Sequence, residues 1–298
     1  MLSQLECAPC IIDDIVGALK LLDLPVSLKE EVLTESLSYL STNFNLQTIP
    51  SYYITHVHRI LKKITGIEVP FRELRHTCNT AGMEISRILL QESQMLADYE
   101  RFHYLAMWAI AGNMLDFRTV GAGYGFDVTK IHEKLSKKVE EGLKIDHIDR
   151  LYELLRNSGK TVLYVLDNVG EVAIDKLLIE EIIKLGHSVI AAVRGGPITS
   201  DVIWEDAKQV GLNETGATII TTGPDTLGIS WEEKSEDLSY AFNQASLVIA
   251  KGQANFYVFS EYKDSIGGNI FCLFTTKCDA VAKLFGFEGK INLAVQLK

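Results

Sequence analysis

The feature that most constrains the fold is a change of hydrophobic period near Lys160. Beyond this point short apolar runs alternate with amphipathic stretches, and the runs cover residues 162–166, 189–193, 217–221, 247–250 and 270–274. A helical pattern at residues 172–185 separates the first two runs and ends at Gly186, a typical C-terminal cap. Strand, helix and strand at this spacing predict a parallel sheet with right-handed crossovers.

The chain before this point has the 3.6-residue period of amphipathic helices. Apolar residues recur at that spacing in two early segments, at Ile11, Ile15 and Leu19 and at Val32, Leu37 and Leu40. Pro25 and Pro50 separate the predicted helices. Residues 86–115 form one further long helical pattern, broken near Gly112.

These patterns predict an α/β protein with two parts. Residues 1–150 form a mainly helical N-terminal region, and residues 151–298 form a Rossmann-like, three-layer α/β/α domain with a mostly parallel sheet. A chain of 298 residues is long enough to bury a full core, and its 47% apolar and 23% charged residues are ordinary for a globular protein.

The net charge and the targeting patterns of the sequence limit the classes of partner and the location that we expect. A formal net charge of -10 argues against nucleic acids and anionic membranes as partners, because both are polyanions. The longest apolar stretch, residues 105–115, is too short to span a bilayer, and the first ten residues have no signal-peptide pattern. Five cysteines in such a chain indicate reduced thiols and a cytoplasmic protein, with hyperthermophiles as the exception. The sequence leaves the oligomeric state open.

Polar and glycine residues follow the apolar runs, where open parallel sheets bind ligands. They are Asp167, Asn168, Gly170 and Glu171 after the first run, Arg194 and Asp201 after the second, and Lys251, Gly252 and Asn255 after the fourth. Oxygen donors at Asp167, Asn168 and Asp201 suit a hard divalent cation such as Mg²⁺ or Mn²⁺. The alternative is that these residues cap the helices that follow.

Lys251 ends an apolar run, so its ammonium must reach either solvent or an anion. A phosphate is one such anion, and a nearby carboxylate in a purely structural pair is the alternative. Gly252 allows close approach of backbone to a ligand. Glu171 and Asp175 share a helix face; Asp175 fits a structural role at the helix N-terminus, whereas Glu171 is a candidate for orienting water or a substrate hydroxyl.

Two other patterns carry less weight. The stretch Gly121-Ala-Gly-Tyr-Gly125 is similar to a dinucleotide loop, but no apolar strand precedes it and its spacing departs from GxGxxG. Cys7-Ala-Pro-Cys10 has the spacing of a metal knuckle without a second CxxC, so a structural zinc site and a redox role both stay open.

Taken together, four motifs resemble the damage-control phosphatases. They are Asp167-Asn-Val-Gly-Glu171, Ser200-Asp201, Lys251-Gly-Gln-Ala-Asn255 and Ala111-Gly-Asn-Met-Leu-Asp116. Cys7-Ala-Pro-Cys10 and Thr276-Lys-Cys-Asp-Ala-Val-Ala282 are similar to the smaller archaeal-type branch. The resemblance covers nearly the whole chain and depends on several ordered motifs.

The resemblance implies a metal-dependent phosphatase acting on small phosphorylated metabolites, such as sugar phosphates or damaged metabolites. It implies a divalent metal (Mn²⁺, Mg²⁺, Co²⁺ or Ni²⁺) bound by Asp167, Asn168 and Asp201. By the same resemblance, Lys251 and Asn255 lie on the phosphate side. Asn113 and Asp116 line the substrate side of the cleft. Gly170, Arg194 and Gly252 are further candidates for substrate contact, from their places at the strand ends.

Two other functions remain as alternatives. An S-adenosylmethionine-dependent methyltransferase has a Rossmann-like fold too, but it needs an acid after the second strand, where this chain has Val193-Arg-Gly-Gly-Pro197. A non-catalytic phosphometabolite-binding protein on the same scaffold is the second alternative. For the phosphatase, water is the preferred nucleophile over Asp167, because Val169 stands where an aspartyl-phosphate enzyme usually has a second acid.

Overall fold

The N-terminal region is built of helices, as predicted. In the computed structural model, which describes residues 1–119, 123–124 and 130–298, seven helices precede residue 156: α1 (Cys7–Leu21), α2 (Val26–Asn43), α3 (Pro50–Thr65), α4 (Arg72–Ser93), α5 (Asp98–Ala111), α6 (Ile131–Glu140) and α7 (Ile148–Leu155). Pro25 precedes α2 and Pro50 opens α3, where the missing N–H of proline costs nothing. Residues 121, 122 and 125 of the glycine-rich stretch lie outside the described residues.

One helix prediction needs correction. The pattern at residues 86–115 predicts one long helix, whereas the structure ends α4 at Ser93 and starts α5 at Asp98. The second predicted break is correct, because α5 ends at Ala111 and a 3₁₀ turn follows at Gly112–Leu115. The apolar residues keep the same period across the first break, so periodicity alone could not reveal it.

The strands form one two-stranded ribbon and one seven-stranded sheet. In chain order they are β1 (Arg118–Thr119), β2 (Gly123–Tyr124), β3 (Ile145–Asp146), β4 (Thr161–Val165), β5 (Ser188–Val193), β6 (Thr218–Thr221), β7 (Leu247–Lys251), β8 (Asn269–Thr275) and β9 (Asn292–Gln296). The sheet order is β3-β9-β8-β7-β4-β5-β6, and β9 pairs antiparallel to β8 while the other pairs are parallel. All five predicted strands are present.

Helices cover both faces of this sheet. The helices of the second half are α8 (Glu171–Lys184), α9 (Trp204–Gln209), α10 (Glu236–Gln244), α11 (Gln253–Tyr262) and α12 (Asp279–Ala282). Successive side chains of β4 point to opposite faces: Val162 and Tyr164 join one buried cluster, and Leu163 and Val165 join the other. A strand buried on both faces reads as a continuous apolar run, which is the pattern seen in the sequence.

A third apolar cluster joins the N-terminal helices to the carboxyl ends of the strands. Ile11, Ile15 and Tyr53 of α1 and α3 pack in this cluster with Val169 and Leu227, which lie in loops beyond the sheet. The helical region therefore lies over the edge where the predicted site residues end their strands. Strand β3 and helix α5, both before residue 150, also contact the sheet layer, and the division of the chain at that residue stays a prediction.

No helix in the described ranges combines the length and the apolar character needed to cross a bilayer.

Candidate active site

The loops after β4 and β5 pair with each other at the edge of the sheet. The N–H of Val169 donates to the carbonyl of Ser200 (2.8 Å), the N–H of Val202 donates to the carbonyl of Asp167 (2.8 Å), and Asn168 and Asp201 form a single antiparallel bridge. Arg75 of α4 donates to the carbonyls of Thr199 and Asp201 (both 2.7 Å) and so fixes the second loop. The sequence correctly predicted that these two loops meet.

Asp167 and Asn168 form the floor of a cavity of about 290 Å³ between the sheet edge and the N-terminal helices. Its walls include Cys7, Cys10, Ile54, Gln253, Lys277 and Cys278. Both floor residues are only 2–3% exposed, so a ligand here would be largely shielded from bulk water. The site is thus a concave, mostly enclosed space with a polar floor.

Two amides hold one oxygen of Asp167. Oδ2 accepts from Nδ2 of Asn113 (3.1 Å) and from Nδ2 of Asn168 (2.6 Å). The same amides donate to Oε2 of Glu171, at 3.4 Å and 3.0 Å, so the two carboxylates share their donors. Within the described part of the chain, Oδ1 of Asp167 accepts no hydrogen bond. That oxygen is therefore available to a ligand.

The environment of Asp167 disfavours a negative charge. Burial raises the pKa of its carboxyl well above the ordinary value, and the neighbouring carboxylates of Glu171 and Asp201 raise it further. Lys277 and Arg194 oppose that shift more weakly. A cluster of buried acids with this much mutual repulsion is stabilised by a cation.

Residue 252 must be glycine because the side chain of Asp167 lies against it. Its φ is +78°, and a Cβ at this position would lie 1.8 Å from Oδ2 of Asp167. The backbone at Gly252 thus lies against Asp167, and its predicted close approach to a ligand stays a prediction. Any side chain at residue 252 would displace that carboxylate.

Gly170 has a structural environment. Its N–H donates to Oδ1 of Asn79 (2.8 Å), and a Cβ added to it would lie 2.7 Å from the carbonyl oxygen of Cys78 in α4. Gly170 therefore packs against α4 where the chain enters α8, and its predicted substrate contact stays a prediction.

Asp201 and Arg194 form a fully buried ion pair behind the floor. Nε of Arg194 donates to Oδ2 of Asp201 (2.9 Å), while the Thr199 hydroxyl donates to Oδ1 (3.0 Å) and the N–H of Gly228 donates to Oδ2 (2.8 Å). Neither residue lines the cavity. In this structure the carboxylate of Asp201 is paired with Arg194, and the predicted metal contact of Asp201 and substrate contact of Arg194 stay predictions.

Lys251 lies inside a second buried network. Its ammonium donates to the carbonyl of Ala109 (2.8 Å), to Oε1 of Glu171 (2.6 Å) and to Oδ1 of Asp175 (2.7 Å). All three N–H bonds are thereby used, and the side chain is fully buried. Lys251 is thus paired with carboxylates in this structure, and its predicted contact with a phosphate stays a prediction.

The contacts in this network shift the pKa values of Lys251 and Asp175. Burial alone would lower the pKa of Lys251, but Asp175 and Glu171 together raise it above the ordinary value. Burial raises the pKa of Asp175 to about 7, a shift that Lys251 limits. The Tyr164 hydroxyl donates to the same oxygen of Asp175 (2.7 Å). Asp175 is structural, as expected, and Glu171 joins this network to the cavity floor.

Asn255 is also a structural residue. Its amide donates to the carbonyls of Leu166 (3.1 Å) and Lys251 (2.7 Å), and its Oδ1 accepts from Arg194 (3.2 Å) and from the N–H of Ile229 (2.9 Å). The side chain of Asn255 thus links these loops, and its predicted role on the phosphate side stays a prediction.

Lys277 is the cation that the sequence argument missed. It lines the cavity that has Asp167 on its floor, and its ammonium lies 2.5 Å from Oδ2 of Asp116. Asp116 thus contacts a residue of the cavity wall, and its predicted place on the substrate side stays a prediction. The sequence does contain a signal for Lys277. Polar residues that follow apolar runs were taken as site candidates, and the fifth run is likewise followed by Thr275, Thr276 and Lys277.

The predicted metal ligands fit a divalent cation only in part. Asp167 and Asn168 both line the cavity, but the amide oxygen of Asn168 accepts from the Ser200 hydroxyl (2.8 Å) and the carboxylate of Asp201 is paired with Arg194. Among the residues that the structure describes, no three His, Cys, Asp or Glu side chains are grouped as metal ligands. This holds for Cys7 and Cys10 too, and their zinc or redox role stays a prediction.

Comparison with known proteins agrees with this fold. Residues 3–291 match the family model of the damage-control phosphatase ARMT1-like domain. An uncharacterized protein of Methanocaldococcus jannaschii is 33% identical over 98% of this chain and 94% of its own length. A damage-control phosphatase of Archaeoglobus fulgidus is 31% identical over 94% of both chains. The crystal structure of a DUF89 family protein from Pyrococcus horikoshii superposes with a TM-score of 0.86 at 28% identity, covering 100% of both chains.

The chain belongs to the damage-control phosphatase family with the ARMT1-like domain. The resemblance drawn from its motifs is confirmed, and so is the predicted architecture. Membership supports a phosphatase role over the methyltransferase alternative.

Proposed function

We propose that this protein is a metal-dependent phosphatase that hydrolyses small phosphate monoesters in the cavity above Asp167. One observation carries the proposal: Asp167, with one oxygen that accepts no hydrogen bond from the described residues, lines the same cavity as Asn168 and Lys277. Phosphoryl transfer asks for this combination, a site for a cation below a site for an anion, more than for covalent chemistry by the protein.

Asp167 and Asn168 would hold the divalent cation, and Asp201 would add negative charge from behind the floor. When bound, such a cation polarises a phosphoryl oxygen and lowers the pKa of a bound water. Asn113 donates to Asp167 and so fixes the direction of the open oxygen. Lys277, oriented by Asp116, would neutralise charge on the phosphoryl oxygens.

The attacking group is proposed to be water. Val169, two residues after Asp167, is fully buried in the apolar cluster with the N-terminal helices, so no second acid lies at that position. The enclosed cavity excludes bulk water and strengthens the electrostatic contacts made inside it.

The test is hydrolysis of p-nitrophenyl phosphate after treatment with EDTA, with Mg²⁺, Mn²⁺, Co²⁺ or Ni²⁺ added back. We expect turnover only with an added cation, and Asp167→Asn should lower kcat by about 10²- to 10³-fold, as loss of one key electrostatic group does. Asp264→Asn, an exposed carboxylate far along the chain, is the matched control and should behave as wild type.

Full turnover in EDTA would remove the metal from the proposal. Wild-type turnover in Asp167→Asn would show that this cavity is not the active site. Binding of phosphate esters without any divalent-dependent turnover would instead favour the non-catalytic metabolite-binding protein.

A further inference from the structure

Apolar residues from three helices and one loop line the cavity of the proposed active site. They are Ile11 of α1, Ile54 of α3, Leu227 of the loop after β6 and Ala254 of α11, and together they are called the apolar wall. All four also pack in the cluster that joins the N-terminal helices to the sheet, so they form one continuous surface. The proposed phosphatase mechanism uses the polar floor and leaves the apolar wall without a role.

The apolar wall is part of a packed core. Ile54 and Leu227 are each only 8% exposed. The loop that carries Leu227 is tied to α3 at two points. The N–H of Leu227 donates to the Thr55 hydroxyl (3.0 Å), and the ammonium of Lys62 contacts the carboxylate of Asp225 (2.6 Å). A ligand that enters the cavity therefore meets a preformed apolar surface.

The amide and phenol groups that line the cavity are engaged within the protein. Oε1 of Gln253 accepts from the N–H of Lys277 (2.7 Å), and Nε2 of Gln253 donates to the Tyr257 hydroxyl (2.5 Å). Oδ1 of Asn168 accepts from the Ser200 hydroxyl (2.8 Å). Hydroxyl groups of a substrate that lie against the apolar wall would lose water without gaining a partner there, and burying an unpaired polar group costs free energy.

Two exposed carboxylates, Glu6 and Asp279, also line the cavity. Because both are exposed, they lie where the cavity meets solvent. Their negative charges repel an anionic group on the part of a substrate that points away from the floor, and the net charge of -10 acts in the same direction. The cavity therefore favours a substrate with one phosphoryl group and an uncharged remainder.

We propose that the apolar wall selects phosphate monoesters with an apolar alkyl or aryl body over those with the hydroxyl-rich body of a sugar. This rests on the proposed function and narrows it, because the phosphoryl group lies above Asp167 while the body lies against Ile54 and Leu227. The cavity of about 290 Å³ is at the small end of ligand sites, which span roughly 300–1,000 Å³. The body is therefore a single ring or a short chain.

The test compares two probes of similar shape, glucose 6-phosphate and cyclohexylmethyl phosphate. In both, a six-membered ring is joined through one CH₂ group to the phosphate oxygen, and the probes differ in the ring oxygen and the hydroxyl groups. Binding to the full-length protein is measured by calorimetry without added divalent cation, so that no turnover is needed. We expect cyclohexylmethyl phosphate to bind about 10- to 100-fold more tightly, because sugar hydroxyl groups are left unpaired.

Two variants truncate the apolar wall from separate elements, so each remains informative if the other fails to fold. Ile54→Ala and Leu227→Ala should each weaken binding of cyclohexylmethyl phosphate roughly three- to tenfold, through lost apolar contact, and leave the affinity for glucose 6-phosphate unchanged. Val57→Ala is the matched control. Val57 lies in α3 and is buried in the same cluster without lining the cavity, so this variant should keep the wild-type preference.

Three results with the wild-type protein would overturn the proposal: equal affinity for the two probes, tighter binding of glucose 6-phosphate, and no measurable binding of either probe. A preference that is unchanged in both Ile54→Ala and Leu227→Ala would overturn it too, because the apolar wall would then not be the source of the preference.

The two proposals fail separately, because turnover tests the function and the ratio of two affinities tests the apolar wall. Divalent-dependent hydrolysis of p-nitrophenyl phosphate together with equal affinity for the two probes would support the phosphatase and contradict the selectivity. A preference for cyclohexylmethyl phosphate without turnover of any ester would do the reverse and indicate a protein that binds apolar phosphate esters.

Discussion

Two lysines at the ends of neighbouring strands have opposite surroundings. Lys251 ends β7 and lies between Glu171 and Asp175, with no exposed surface. Lys277 follows β8, contacts Asp116, and lines the cavity with its side chain 20% exposed. Both lysines follow strands at the same edge of the sheet, yet Lys251 is fully buried whereas Lys277 is partly exposed and lines the cavity.

The different surroundings of the two lysines indicate different roles: Lys251 supports the structure of the site, whereas Lys277 is placed to contact a ligand. Lys251 neutralises acids beneath the floor, and Glu171 in that network shares two amide donors with Asp167. Lys277 contacts Asp116 and lines the cavity. A cation placed between two buried acids contributes to the stability of the fold, whereas a cation on a cavity wall is placed to meet a ligand.

The largest effect that distinguishes the two regions is expected in Lys251→Ala. Removing this ammonium leaves Glu171 and Asp175 buried without their cation, which should lower the free energy of unfolding by about 3–5 kcal/mol. Urea denaturation measures it, with Lys184→Ala as the exposed control. A loss below about 1 kcal/mol, as for a surface pair, would contradict the buried network.

Asp201→Asn should have the next largest effect, and on stability as well as turnover. Arg194 would lose a charged acceptor while remaining buried, so the free energy of unfolding should fall by about 1.5–3 kcal/mol. Urea denaturation and p-nitrophenyl phosphate kinetics should be measured on the same sample. Wild-type stability together with lost metal-dependent turnover would instead place Asp201 at the metal, as the sequence predicted.

The effect of Lys277→Ala should be seen in substrate binding. We expect the KM for p-nitrophenyl phosphate to rise roughly tenfold, because a charge-assisted contact to the phosphoryl oxygens is lost. The loss of stability should be smaller than in Lys251→Ala, since water can reach the space that Lys277 leaves. An unchanged KM with a large loss of stability would indicate that both lysines are structural and would contradict the difference in role proposed for them.

Much of this arrangement was available from the sequence. Apolar runs bounded by polar loops predicted five of the seven strands of the main sheet, and the geometry of parallel strands brought Asp167, Asp201 and Lys251 to one edge. Strand β9 was missed. It runs antiparallel to β8 and is not part of the strand–helix alternation that revealed the others.

The direction of side chains was not available. Whether Lys251 faces Asp175 or a ligand depends on where α8 packs, and Asp201 turns to Arg194 because the loop after β5 is held by Arg75 from α4. These partners are distant in sequence, so no local pattern encodes them. Position along the sheet edge is a local property of strands, whereas orientation is a property of the packed whole.

The contact between Gly252 and Asp167 has a thermodynamic consequence. With backbone against one oxygen and two amides donating to it, the carboxylate has a single rotamer open to it. The side-chain entropy of that acid is therefore lost when the protein folds and need not be lost again when a ligand arrives. The fixed position of the Asp167 carboxylate, which Gly252 helps to impose, therefore increases the affinity for a ligand that binds above it.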